Sequence, residues 1–510
     1  MPIRNGAEYI ESLRGRNLKV YLMGKLVRDP VENKMIRPSI NAVAETYDIA
    51  LNEPELGSAK SSISGLTVNR FLHIAESADD LIKQNKMQRR LGQLTGTCFQ
   101  RCVGMDALNS LYSTTFEIDA KYGTSFHARL KDFIKTVQQE NQVIGGAMTD
   151  VKGDRSLSPS QQEDPDMFLH VVKRDEKGVF VTGAKAHQTG CINSHWIIVM
   201  PTMRLKPEDK EYAIVGAIPV DAPGIKYIYG RQSCDTRSMD EGTMDAGNAR
   251  FSGQEAMIVF KDVFIPNELI FMDGQYEFAS MLVERFTCYH RRSYVCKTGL
   301  GDVLIGAAAA IADYNGVSNA SHIKDKLVEM THLNETIYAA GIASSYQSFR
   351  TASGNWQNDD MLANVCKHNV TRYPYEIGRL AQDIAGGLMV TMPSEQDFRS
   401  PETGPILEKY LKGRKGVSTE NRMRILRLIE NMTLGRNAVG YLTESMHGAG
   451  SPQAQRIQIQ RQMQLEFKKT LAKALADVKE GEEAELAQEP SDYFDRVFET
   501  KNKKPNKRIR

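Results

Sequence analysis

The texture of the chain changes twice along its length, and those two changes limit what it can fold into. Up to about residue 143, apolar residues recur at helical spacing with few Gly or Pro interruptions, most clearly over 77–87 and 126–142. Short β-rich runs then take over. Residues 168–174 and 179–185 flank Asp175-Glu-Lys-Gly178, a hairpin signature, and further runs follow at 196–200, 213–220, 226–229 and 257–266, with Pro and Gly in the gaps. From about residue 274 the helical period returns over 301–315, 325–350, 375–390 and 418–445. A last helix is expected over 452–487, opened by Ser451 as cap and Pro452 in the first turn. The pattern predicts an α+β architecture: an N-terminal helical domain over 1–143, a central β domain over 144–273, a helical bundle over 274–490 and a basic tail over 491–510. The bundle is the natural place for oligomer contacts.

Composition narrows the function classes. A chain of 510 residues is too long for one simple core, and a net charge of +2 gives no reason to expect nucleic acid or an anionic membrane as partner. The Lys- and Arg-rich end, Lys501–Arg510, reads as a solvated terminus. The longest strongly apolar run, residues 303–312, is far short of the ~20 residues a membrane span needs. The first residues lack the apolar core of a signal peptide, so a cytoplasmic location is expected. Seven cysteines in such a chain point to free thiols, metal ligands or catalysis rather than a disulfide framework.

Three stretches carry chemistry. In Cys98-Phe-Gln-Arg-Cys102 a helix would place both sulfurs on one face, although a pair of inert buried cysteines fits the spacing equally. Cys288-Tyr-His290-Arg-Arg-Ser-Tyr294-Val-Cys296-Lys297 gathers thiols, a histidine, two tyrosines and basic residues that favour thiolate. Together the two stretches supply three or four thiols and a histidine, enough for one four-ligand site; Cys3His serves structural zinc as well as iron–sulfur clusters, and spacing alone does not separate them. The third, Met148-Thr-Asp-Val-Lys-Gly-Asp-Arg-Ser156, suits a loop around a phosphate or a ring edge, or a plain turn. Gly299-Leu-Gly301-Asp-Val-Leu304 imitates a dinucleotide fingerprint but has Leu where the third glycine belongs and no strand before it.

Four phrases bring in a resemblance. Tyr21-Leu-Met-Gly-Lys-Leu-Val27, the string Thr149–Ser156, His290-Arg-Arg-Ser-Tyr294 and Glu444-Ser-Met-His-Gly-Ala-Gly-Ser-Pro-Gln453 resemble the 4-hydroxybutyryl-CoA dehydratase family, in family order from about residue 5 to about 490. The wider superfamily includes flavin-dependent 4-hydroxyphenylacetate 3-monooxygenases with an acyl-CoA dehydrogenase-like fold. The resemblance implies a homotetramer acting on an acyl-CoA thioester, with FAD and a 4Fe–4S cluster held by Cys98, Cys102, His290 and Cys296. It implies flavin contacts at Thr149, Asp150, Arg155, Ser156 and Thr189. It places Glu255, Tyr294, Lys297 and Glu444 in the active site beside His290, with Gln100 a weaker candidate. The family pattern has one more residue between histidine and cysteine. Six positions on a regular helix leave His290 and Cys296 roughly 120° apart, so a bend, a π-type bulge or a helix end must bring them together, or Cys288 must substitute.

The implied reaction is dehydration of 4-hydroxybutyryl-CoA to crotonyl-CoA, with vinylacetyl-CoA Δ-isomerisation. The thioester acidifies C2, whereas the hydrogen to be lost sits on C3, so ordinary elimination fails and a flavin is expected to supply one-electron chemistry. The competing reading is an FAD-dependent aromatic 3-monooxygenase, which has no use for a thiolate-bound cluster. A zinc-stabilised assembly protein is the non-catalytic alternative.

Overall fold

The computed structural model describes residues 2–478; the expectations that fall on 479–510, the end of the bundle and the basic tail, lie outside the described residues. Helices, then two packed sheets, then helices follow one another along the chain, giving the α+β architecture expected from the sequence. The Asp175–Gly178 turn closes an antiparallel hairpin between His170–Asp175 and Gly178–Thr189, as its turn residues predict.

The larger sheet runs Lys25–Val27, Val20–Leu22, Ile225–Tyr229, Glu255–Pro266, Gly178–Thr189, His170–Asp175. Its first two strands come from the N-terminal region, which reads as helical because strands of three residues are too short to show a period of two. The smaller sheet runs Ile270–Asp273, Ile214–Pro219, Trp196–Val199, Ile144–Ala147. One apolar core joins the N-terminal helices to both sheets, and a second fills the C-terminal bundle. Between them lies a small cluster of Met87, Leu91, Phe99, Met105 and Cys296.

The glycine string 299–301 has a packing reason. A Cβ at Gly299 would stand 2.1 Å from the Arg89 carbonyl, and one at Gly92 would stand 2.7 Å from the Cys296 carbonyl. The helices Ala78–Thr95 and Cys296–Tyr314 therefore cross at bare backbone, which draws Cys296 inward. An 18-residue window within Phe278–Tyr314 is apolar enough to cross a membrane, but 61% of it is buried inside the fold, as in a core helix.

Two expected helices end sooner than the sequence suggests. The segment expected over 418–445 is helical from Thr419 to Thr433 and resumes as a π-helical turn, Val439–Thr443, immediately before Glu444. The last expected helix breaks at Gln464, whose left-handed φ of 46° separates Pro452–Gln462 from Leu465–Leu475.

Candidate active site

A cavity of about 1120 Å³ opens where the β domain meets both helical regions. Three segments bring thiols to it. The helix Ala78–Thr95 ends at left-handed Gly96, and the next helix begins only at Cys102. The stretch from Cys98 to Cys102 is thus a loop rather than the expected helix. Gln100 forces the turn with φ 68°, and its buried amide donates to the carbonyls of Ser39 (2.9 Å) and Ser252 (3.2 Å). Arg101 is buried beneath, its guanidinium 4.9 Å from the Tyr47 ring centroid and 5.0 Å from that of Phe71. This anchoring turns both Cys98 and Cys102 toward the cavity, which Gln100 also lines.

His290 and Cys296 reach the same wall because a helix ends between them. One helix, Phe278–Ser293, stops short of Tyr294, and the next starts at Cys296. That break supplies the bend that six helical positions need. Cys288 faces away from the cavity, its sulfur within 3.3 Å of the Asn358 amide, so it does not substitute. Burial and nearby Glu444 push the Cys98 thiol well up, whereas Lys297 favours its thiolate. Cys102 donates to Cys296, which lowers Cys296 and raises Cys102, the behaviour of one proton shared by two sulfurs. Gln88 donates to the Cys102 sulfur at 3.4 Å.

Facing the thiols are two carboxyls and a lysine. Sheet register sets Glu255 directly opposite Thr189, whose hydroxyl donates to Glu255 Oε1 at 2.7 Å. The π-helical turn at 439–443 carries Glu444 to the opposite side; such turns recur at functional sites. Lys297 Nζ donates to Glu444 Oε2 at 2.8 Å and to the Gly440 carbonyl. Burial, then Glu444, push the Glu255 carboxyl well above the usual carboxylate range. Glu444 Oε1 is buried and meets no hydrogen-bond donor among the described residues. Burial opposes the Lys297 ammonium, but Glu444, Cys296 and Cys98 outweigh it and hold its pKa well above the ordinary value.

The string 149–156 divides. Thr149, Arg155 and Thr189 line the cavity. Asp150 and Ser156 do not. Both Asp150 oxygens are taken inside the fold, one by buried Lys185 and one by the Thr202 amide (3.0 Å) and hydroxyl (2.9 Å). Ser156 is exposed and bonds Asp154. The side chains of both residues bond within the fold.

Tyr294 is buried between two lysines, with Lys297 5.4 Å and Lys367 4.4 Å from its ring centroid. Sequence reasoning misses Lys367, which lies in the helix Asp360–Val370 with no motif around it, and Asp106, which meets His290. Only contact across elements reveals either.

Lys367 gives a pH prediction. Burial, then Lys297 and Arg291, push its pKa down to about 7, from an ordinary value of 10.5. Between those two values the unfolded chain keeps a proton that the folded chain sheds. Stability attributable to this group therefore rises as pH climbs from about 7 to about 10.5, and is lost as pH falls back through that window. Lys367→Met is expected to remove that slope. Denaturant unfolding of both proteins at several pH values checks it, through the difference between the two curves.

The chain is similar to known proteins over nearly its whole length. The family profile described as 4-hydroxyphenylacetate 3-hydroxylase N terminal matches residues 5–272, and its C-terminal counterpart matches 279–477. The 4-hydroxybutyryl-CoA dehydratase/vinylacetyl-CoA-Delta-isomerase of Clostridium aminobutyricum is 57% identical over 484 residues, 92% of this chain and 99% of that one. The solved structure of an oxygen-tolerant archaeal 4-hydroxybutyryl-CoA dehydratase from N. maritimus is 75% identical, with a TM-score of 0.95 over 98% of this chain and 99% of that one. The oxygenase component of a 4-hydroxyphenylacetate 3-monooxygenase, solved with FAD, shares the fold at a TM-score of 0.80 and 21% identity, over 93% of this chain and 100% of its own. With 57% identity over 92% of the chain to one relative and 75% to a solved structure, the protein belongs to the 4-hydroxybutyryl-CoA dehydratase family, a branch of the wider 4-hydroxyphenylacetate 3-hydroxylase group.

Proposed function

We propose that this chain dehydrates 4-hydroxybutyryl-CoA to crotonyl-CoA and isomerises vinylacetyl-CoA, as a homotetramer holding FAD and a 4Fe–4S cluster. One observation carries the reading: Cys98, Cys102, Cys296 and His290 share a single cavity with Thr189, Glu255, Glu444, Lys297 and Tyr294. Three thiols and an imidazole are a donor set for iron–sulfur or zinc. Among the described residues no three His, Cys, Asp or Glu converge tightly enough for one metal ion, and donors spread around a wall suit a cluster of several atoms better. The cavity exceeds the ~300–1,000 Å³ of an ordinary small-molecule site, which leaves room for a flavin ring over Thr149, Arg155 and Thr189 and for the acyl end of a thioester. Exposed Leu465, Leu471 and Leu475 on the last described helix supply apolar surface for association.

When bound, FAD would supply one-electron chemistry that acidifies C3, and the cluster a Lewis-acid iron toward the C4 oxygen. The protein's groups do the rest. His290 Nε2 is the nitrogen that would hold iron and, when free, takes the proton from C2. The Glu255–Glu444 pair accepts a proton from C3 and returns one to C4, while the C4 hydroxyl leaves as water with the proton that His290 took from C2. Buried Lys297 holds the Glu444 carboxyl in place at 2.8 Å. Tyr294 offers its phenol to the substrate oxygen.

The position of that phenol gives a second prediction. A Cβ at Gly448 would stand 1.5 Å from Tyr294 Oη, so Gly448→Ala must push the tyrosine aside. We expect kcat to fall by about 10²-fold, the cost of misplacing a reacting group by about 1 Å, with folding unchanged. Steady-state kinetics beside a thermal melt check it.

The reaction itself is tested by incubating purified protein with 4-hydroxybutyryl-CoA without oxygen and without added reductant. Crotonyl-CoA is the expected product. A monooxygenase requires oxygen and reduced flavin, so hydroxylation of a phenol under those conditions, with no crotonyl-CoA in their absence, would overturn the reading.

A further inference from the structure

We propose that Asp106 is a positioning residue: it fixes the ring and the tautomer of His290 so that an unprotonated Nε2 faces the cavity. Asp106 lies four residues beyond Cys102 on the helix Cys102–Tyr122, so the carboxylate and the sulfur share the face that meets the helix Phe278–Ser293. It is 1% exposed. Its Oδ2 stands 2.7 Å from His290 Nδ1. A carboxylate accepts and does not donate, so the proton of this bond sits on Nδ1 and the lone pair is left on Nε2. Nε2 has no hydrogen-bond partner among the described residues, and the ring lines the cavity.

The carboxylate is itself held from the other side. Ser293 Oγ donates to Asp106 Oδ1 at 3.0 Å, and the Arg292 guanidinium lies 3.8 Å away. Arg292 is fully buried and pinned by the Leu81 carbonyl at 3.1 Å and Gln84 Oε1 at 2.8 Å. Ring contacts complete the cage. His290 stacks on Phe286 at 5.3 Å and meets the Tyr294 ring edge-on at 5.4 Å. A histidine so held presents its other nitrogen to the cavity, where a metal or the C2 proton would meet it. The use of that nitrogen rests on the proposed dehydratase reading; its geometry does not.

The test is Asp106→Asn, with two readouts besides turnover. The first uses protein labelled with ¹⁵N in histidine, the His290 signal being identified by its loss in His290→Gln. We expect Nδ1–H in the natural protein and a shift toward Nε2–H in Asp106→Asn, whose amide nitrogen can face the ring and donate. The second is iron retention by the anaerobically purified holoprotein against a chelator, expected to weaken by about 10–100-fold with FAD content unchanged. An Nε2–H tautomer in the natural protein, or an unaltered tautomer in Asp106→Asn, overturns the assignment. Absence of iron from the natural protein would sink the dehydratase reading instead, and the tautomer measurement would still decide the role of Asp106.

Discussion

Glu255→Gln is expected to lower kcat for 4-hydroxybutyryl-CoA dehydration by about 10²–10⁴-fold, the range of a lost general acid–base group, with KM nearly unchanged. Glutamine keeps the shape and can still accept from Thr189, which donates to Oε1 at 2.7 Å. Its amide adds a donor on the side of Glu444, whose buried Oε1 meets none among the described residues. What glutamine cannot do is give a proton up and take it back. Structure and flavin content are therefore expected to survive while proton transfer stops. Turnover within tenfold of the natural protein would show that the Glu255–Glu444 pair is not the proton carrier.

Lys185→Ala is expected to have the largest effect on stability, about 3–5 kcal/mol, the usual result of removing one partner from a buried ion pair. The Lys185 and Asp150 side chains are only 2% and 7% exposed. The ammonium also donates to the carbonyls of Met148 (3.1 Å) and Met200 (2.7 Å), tying the entry of the flavin-side loop to the neighbouring strand. Its loss leaves Asp150 buried with Thr202 alone as donor. Chemical denaturation measures the difference. A loss below 1 kcal/mol would mean that water reaches Asp150 and that the pair is not dry.

What could be read from sequence and what could not divides along physical lines. The two changes of texture were legible because helical and β periods run over many residues, and the hairpin because its turn chemistry is local. Cys98, Cys102, Cys288, Cys296 and His290 were legible as possible metal donors, the family resemblance implied the set without Cys288, and the structure brings those four to one cavity. Thr189 and Glu255 stand 66 residues apart, and only strand register explains why they touch. Asp150 illustrates the opposite error: a residue within a matching string is spent on the fold, because a buried lysine from another strand claims it. Asp106 and Lys367 left no trace in the sequence, since one Asp or Lys within a helix is ordinarily a solvated residue. Their burial arises from the packing of helices far apart in the chain. The helical reading of Cys98–Cys102 failed for a similar reason. Nothing local predicts the left-handed Gln100, which is held by carbonyls of Ser39 and Ser252.

The central claim is that the thiol wall holds an iron–sulfur cluster beside a flavin. It is tested most directly by purifying the protein without oxygen and measuring iron, acid-labile sulfide, zinc and FAD per chain in one sample. About four irons and four sulfides with bound FAD are expected, the content of one cubane cluster on three cysteines and a histidine. FAD with zinc and no sulfide would contradict the claim and reassign Cys98, Cys102, His290 and Cys296 to a structural metal site.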